Sequence, residues 1–93
     1  MNKIRKTYRE MERIVKGFAN HRRLQILEII ENEPELSLQE ISDKIKSDIK
    51  NVSVHVNKMA VAGLVIKRNE GNMVRHKLTN RGKRILQFVR IIE

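Results

Sequence analysis

Apolar residues recur along this chain mostly at helical spacing. Ile4, Tyr8, Met11, Val15 and Phe18 alternate steps of four and three, a narrow seam of the kind helices use to pack on one another. Gly17 and Asn20 mark the end of that helix and the start of the next, with Asn20 as N-cap. Leu24, Ile26, Leu27, Ile29 and Ile30 then cover a broad arc, which predicts a helix central to the core. Pro34 disfavours helical backbone at Glu33, so this helix ends there. Ser37 and Glu40 have the spacing of a capping box, followed by Leu38, Ile41 and Ile45 on one face of a short helix.

The stretch KNVSVHVNKM, residues 50–59, has two readings. Val52, Val54 and Val56 alternate with polar residues as in a strand, yet Ile49, Val52, Val56 and Met59 also line one helical face. Asp48 (or Ser47) as a cap and Gly63 as the first breaker favour a helix over about 49–62 with that stripe buried. Beyond Gly63, two β-prone runs flank Glu70-Gly71-Asn72, the signature of a hairpin. Thr79 caps a last helix carrying Ile85, Leu86, Val89 and Ile92, widened by Phe88 and Ile91.

The expected fold is mainly α with a small β-hairpin. Its third and fourth helices join through a short turn, making a helix-turn-helix, and the hairpin behind them makes it winged. The chain reads as a single domain, 1–93, with an N-terminal dimerisation helix over about 1–18. The helix-turn-helix occupies 37–62, the wing 64–78 and the C-terminal helix 79–92.

Charge sharpens this picture. The formal net charge is +9, and residues 46–84 hold ten Lys or Arg against only Asp48 and Glu70, while the first 45 residues are nearly balanced. A basic half on a small domain points to a polyanionic partner, most often nucleic acid. The chain has no cysteine, which excludes disulfides, thiolate metal sites and thiol redox sensing. No apolar run is long enough for a transmembrane helix, and the charged N-terminus lacks a signal core, so a cytoplasmic protein without membrane association is expected.

VSVHVNKMAVAGLVIKRNEGNMVRHKL resembles the recognition helix and wing of ArsR-type winged-helix repressors. Ser53, His55 and Val56 match the S-x-H-L pattern, and Ala62-Gly63-Leu64-Val65 match A-G-L-V at the same offset. FANHRRLQIL resembles the opening of the family's second helix, whereas LTNRGKRIL looks more like MarR-type proteins. The resemblance spans about residues 18–86. It implies a DNA-binding regulator whose wing reaches an adjacent minor groove or its backbone. Three departures matter. The third helix reads QEISDKIK, without the cysteines of metal sensors; the last helix lacks a His/Asp ligand pair; and the wing arginine of many relatives is Asn72. Neither metal sensing nor a cofactor is therefore expected.

With its apolar stripe buried, the fourth helix should present Lys50, Asn51, Ser53, Val54, His55, Asn57 and Lys58 to a major groove. Asn, Ser and His contact bases or phosphates, the lysines hold phosphates, and Val54 is suited to a thymine methyl. The wing should contribute Lys67, Arg68, Gly71, Asn72, Arg75 and Lys77. Basic residues on a wing also have a plainer role, blocking edge-to-edge strand pairing. The terminal stripes, Ile4, Tyr8, Met11 and Val15 with Ile85, Phe88, Val89 and Ile92, exceed what a compact core needs and are expected to form a homodimer interface.

His21, His55 and His76 fall on different elements without ligand spacing, and Ser53 and His55, two apart on a helix, point apart. No catalytic constellation stands out, and an enzyme is not expected. The expected function is sequence-specific binding of double-stranded DNA, at an inverted-repeat operator, by a homodimeric regulator of the repressor type. The competing class is a winged-helix interaction or scaffolding module, which would lack a coherent basic face. A small-molecule effector, if there is one, would find room between the terminal helices.

Overall fold

The computed structural model describes residues 5–93. Helix α1 (Tyr8–Phe18) leads to α2 (His21–Asn32), strand β1 (Leu36–Ser37), α3 (Leu38–Ile45), α4 (Ile49–Val61), strands β2 (Val65–Glu70) and β3 (Met73–Leu78), and α5 (Asn80–Ile92). The winged helix-turn-helix expected from the sequence is therefore present.

Local chemistry sets most boundaries. At the start of α1 the Thr7 hydroxyl accepts from the Glu10 N–H at 3.1 Å, and the Thr7 N–H donates to the Glu10 carboxylate at 2.8 Å. This reciprocal pair satisfies two otherwise orphaned donors and begins the helix at Tyr8, later than the expected start at the chain's first residues. Ile4 lies outside the described residues. The Asn20 side chain accepts from the N–H groups of Arg22 and Arg23. Ser37 and Glu40 form the expected capping box on α3. Lys46 closes α3 in the left-handed conformation, φ 54°, and the Asp48 carboxylate then caps α4 through the Lys50 N–H at 2.6 Å. The ambiguous valine stretch is helical throughout.

Two expectations need correction. The sheet has three strands rather than two, in the order β1-β3-β2 and antiparallel throughout. Strand β1 pairs Leu36 with His76 and Ser37 with Arg75. Two residues carry no readable periodicity, and Ser37 serves at once as strand residue and helix cap, which hid the strand in the sequence. Ile49, placed in the buried stripe by its spacing, is 38% exposed. It occupies the first turn of α4, which projects beyond the core that Val52, Val56 and Met59 enter.

Helix α2 is the hub, packed against each of the other four helices and against β3. Ile26, Leu27 and Ile30 from it meet Ile41 and Ile45 of α3, Val52, Val56 and Met59 of α4, Leu64, Leu78 and Leu86. Phe18, Leu24, Ile29, Leu38 and Ile85 pack around this cluster. Burial of these branched side chains is the dominant stabilising term, at about 1.5–3 kcal/mol each relative to exposure. Helix α1 crosses α4 where Gly17 meets Ala62: a Cβ on Gly17 would stand 2.4 Å from that of Ala62. Only a residue without a side chain permits this approach.

Candidate nucleic-acid interface

Five residues of α4 are exposed as the helical reading requires. Lys50 and Asn51 are exposed, and Val54 is 51% exposed between them and the rest of the face. Ser53 is half-buried, and Asn57 and Lys58 are exposed. The side of α4 that faces away from the core thus carries amide, hydroxyl and ammonium groups together with the apolar Val54 and, at its C-terminal end, Val61.

His55 departs from the expected arrangement. It is half-buried and turned toward α2, where its Nδ1 accepts a hydrogen bond from Arg23 Nε at 3.1 Å. Because Nδ1 accepts, the neutral ring carries its proton on Nε2. Burial, then the positive charges of Arg23 and Lys58, pushes the His55 pKa below the ordinary value of 6.5. Its place off the Val52–Val56–Met59 stripe suggested an outward contact, but the ring is bonded to Arg23 of α2.

Arg23 was not singled out in the sequence. It is only 9% exposed, and its Nη1 also donates to the Lys16 carbonyl at 2.7 Å. One guanidinium thus ties the end of α1 to the middle of α4. A signal was available: Arg23 shares a helical face with Leu27 and Ile30, so it had to lie inside.

The wing hairpin pairs Val65 with Leu78 at its base and Glu70 with Met73 at its tip. Gly71 takes φ +60° in the two-residue loop with Asn72, as a tight hairpin turn demands. The pleat divides the basic residues. Lys67 lies opposite His76 on the helix side of the sheet, and its ammonium donates to the Asn57 side-chain oxygen, joining wing to α4. Arg68 and Arg75 lie opposite each other on the other side.

These two arginines are already engaged. Arg68 donates to both oxygens of Glu35, closest at 2.9 Å, and to Glu70 at 3.3 Å. Arg75 bonds Glu70 at 3.1 Å and the Glu35 carbonyl at 3.2 Å, and lies 3.7 Å from Glu40. The Arg68 hydrogen bonds hold the Glu35 carboxyl below its ordinary range, and Arg75 followed by Arg68 does the same for Glu70. The wing's arginine charge is therefore largely neutralised within the protein. Lys67 and Lys77 are exposed and have no carboxylate partner among the described residues. Residue spacing could not show this, because Glu35 and Glu40 come from a distant part of the chain.

His76, by contrast, is a structural residue. It is 2% exposed and its Nδ1–H donates to the Leu36 carbonyl at 2.8 Å, joining β3 to β1. Burial lowers its pKa, with the Leu36 carbonyl opposing in part. Among the described residues no group of three His, Asp or Glu is placed to hold a metal ion. No helix among them is long and apolar enough to cross a membrane.

The outer faces of the terminal helices are uncovered. Tyr8 is 87% exposed, Met11 38% and Val15 49%; on α5, Phe88 is 51% and Ile92 65% exposed. Val89 is half-buried, and Ile85 packs against the protein's own core rather than standing free.

Residues 19–82, spanning α2 through the start of α5, match the model of the HVO_A0114 family. The chain belongs to the HVO_A0114 family. No curated protein matches the sequence. Solved structures similar to this family member include a homodimeric winged helix-turn-helix DNA-binding domain of Mycobacterium bovis, a possible ArsR-family transcriptional regulator. The two are 25% identical with a TM-score of 0.81, over 90% of this chain and 78% of the other. HlyU of Vibrio cholerae is 28% identical with a TM-score of 0.79, over 96% of this chain and 97% of its own. The transcriptional regulator HlyU of Vibrio vulnificus is 29% identical with a TM-score of 0.74, over 90% and 88% respectively. This HVO_A0114 member thus has an ArsR-type winged helix-turn-helix fold, and its structural neighbours include proteins named as transcriptional regulators.

Proposed function

We propose that this chain is a homodimeric transcriptional regulator, a repressor, that binds double-stranded DNA sequence-specifically. In this reading α4 enters the major groove and the wing lies on the adjacent backbone or minor groove. The carrying observation is the exposed face of α4, where Lys50, Asn51 and Val54 stand clear of the core beside Ser53 and Asn57. Asn51 is suited to the N6 and N7 of adenine, Val54 to a thymine methyl, and Lys50 to a phosphate. Lys67 and Lys77 supply the wing's unpaired charge, Gly71 and Asn72 its tip. Arg68 and Arg75 act mainly in holding the wing's shape.

The dimer reading rests on the uncovered stripes of α1 and α5. Isologous pairing through Tyr8, Met11, Val15, Phe88, Val89 and Ile92 would bury them. Two-fold symmetry would set the recognition helices about 34 Å apart, matching an inverted-repeat operator. The whole chain serves as a single domain in this scheme: α1 and α5 for assembly, 37–62 and 64–78 for DNA.

Selection from a random duplex pool, followed by sedimentation of the protein alone and with the selected duplex, tests this directly. The expected result is a palindromic consensus bound by two chains. Recovery of no consensus would refute the DNA reading, and a monomer at micromolar concentration in both states would refute the dimer.

A further inference from the structure

A cleft of about 820 Å³ opens between α1 and α4. It has the volume of a small-molecule site. The two helices touch at Gly17 and Ala62, and the α1 residues that line the cleft reach from there back to Glu10, with Lys6 just before the helix adding to the rim. Ile14, Val61 and Ala62 provide apolar surface, with Val61 90% exposed. Six of the twelve described lining residues are Lys or Arg, and Glu10 is the one acid among them.

The charges matter because few are satisfied. Among the described residues Arg23 and Arg81 bond only neutral acceptors, Arg81 reaching the Ala62 carbonyl at 2.8 Å. Lys6, Arg13 and Lys58 form no salt bridge among the described residues; Lys16 alone pairs, with Glu12. The Glu10 carboxylate is committed to the Thr7 N–H. Unpaired cations around an apolar floor recognise an anion with an apolar body.

Geometry separates this cleft from the surface assigned to the dimer. At 100° per residue, Glu10, Arg13, Ile14 and Gly17 lie on one side of α1 and Tyr8, Met11 and Val15 on roughly the other. Pairing through the apolar seam would leave the cleft open. We infer that the α1–α4 cleft binds a small amphipathic carboxylate or phosphate, its apolar part against Val61 and Ile14 and its charge toward Arg13, Lys6 and Lys58. If the DNA-binding reading holds, the ligand sits between the assembly helix and the recognition helix and adjusts their relation.

The binding test needs no DNA, so its failure is separate from any failure of that reading. Octanoate and 1-naphthoate are titrated into the full chain, with octanamide and 1-naphthamide as neutral counterparts, and backbone amide shifts are followed. The carboxylates are expected to move Gly17, Val61 and Ala62 saturably, and more tightly than the amides. Arg13→Glu should weaken the carboxylates roughly fivefold or more while leaving the amides unchanged. Val61→Asp, at an exposed position outside the core, should weaken both acids independently of Arg13. Four outcomes overturn the proposal: no saturable shift with either acid, equal affinity for acids and amides, insensitivity to both variants, or shifts centred on Phe88 and Ile91. So does a loss of duplex affinity in ligand-free Arg13→Glu matching that of Lys67→Ala, which would make the cleft a contact for DNA phosphate.

Discussion

Arg23 on α2 and His55 on α4 are joined by a 3.1 Å hydrogen bond from Nε to Nδ1, while the same guanidinium holds the Lys16 carbonyl at the end of α1. Three helices thus meet at one nearly buried cation. Arg23→Met keeps the side chain's length but leaves that carbonyl and imidazole without their donor. The expected cost is about 1–3 kcal/mol in denaturant unfolding. Arg23→Lys should recover only part of it, since one ammonium cannot reproduce the fork. A variant as stable as the parent would show that water replaces the guanidinium without loss.

His55 and His76 have pKa values depressed below 6.5 by burial. The unfolded chain therefore binds protons more readily than the folded one as pH falls through 6.5. Their stabilising contribution is complete above that value and is lost as pH drops toward their folded pKa values. The carboxylates Glu10, Glu35, Glu40 and Glu70, depressed from 4.5, lose their contribution only in a more acidic window. Denaturation midpoints between pH 7.5 and 5 (roughly the imidazole range) should decline. His55→Gln should flatten that decline; an unaltered slope would place the titration elsewhere.

The wing predicts a division between lysines and arginines. Lys67→Ala and Lys77→Ala should weaken binding to all duplexes and each lower the salt slope by about one. Arg68→Ala and Arg75→Ala should alter that slope less, because Glu35 and Glu70 already neutralise them. Measured across 50 to 200 mM salt, parent affinity should fall by about 10³–10⁵ if the dimer contacts about 6–10 phosphates. Equal slope changes for all four variants would mean the arginines exchange their carboxylates for DNA.

Specificity should reside on α4. Asn51→Ala and Val54→Ser should each cost about 1–3 kcal/mol on the selected duplex and little on a scrambled one. Losses that are uniform across sequences would remove both residues from base contact.

The Gly17–Ala62 contact fixes where α1 crosses α4. Gly17→Val forces the helices apart, so thermal stability should fall and the adjoining cleft should change shape. Ala62→Gly in the same chain should relieve part of the clash. Additive effects of the two substitutions would argue against direct contact.

What the chain itself determined is the set of elements and their order. Helical spacing, the Asn20, Ser37, Asp48 and Thr79 caps, and the Gly71 turn are local signals, carried within a few residues and stated directly by residue type. The reading of residues 50–59 belongs here too, because a cap and a breaker outweigh an alternation that Val54 creates by chance of position. What tertiary structure decided is which polar groups remain available. Residues 32 and 33 positions apart meet in Arg23–His55 and Arg68–Glu35, so His55 turns inward and the wing arginines lose their free charge. Strand β1 exists only because β3 lies beside it. Hydrogen bonds and ion pairs act over about 3 Å in space, whatever the separation along the chain. Periodicity therefore reports which face a side chain occupies, and only the fold reports what it meets there.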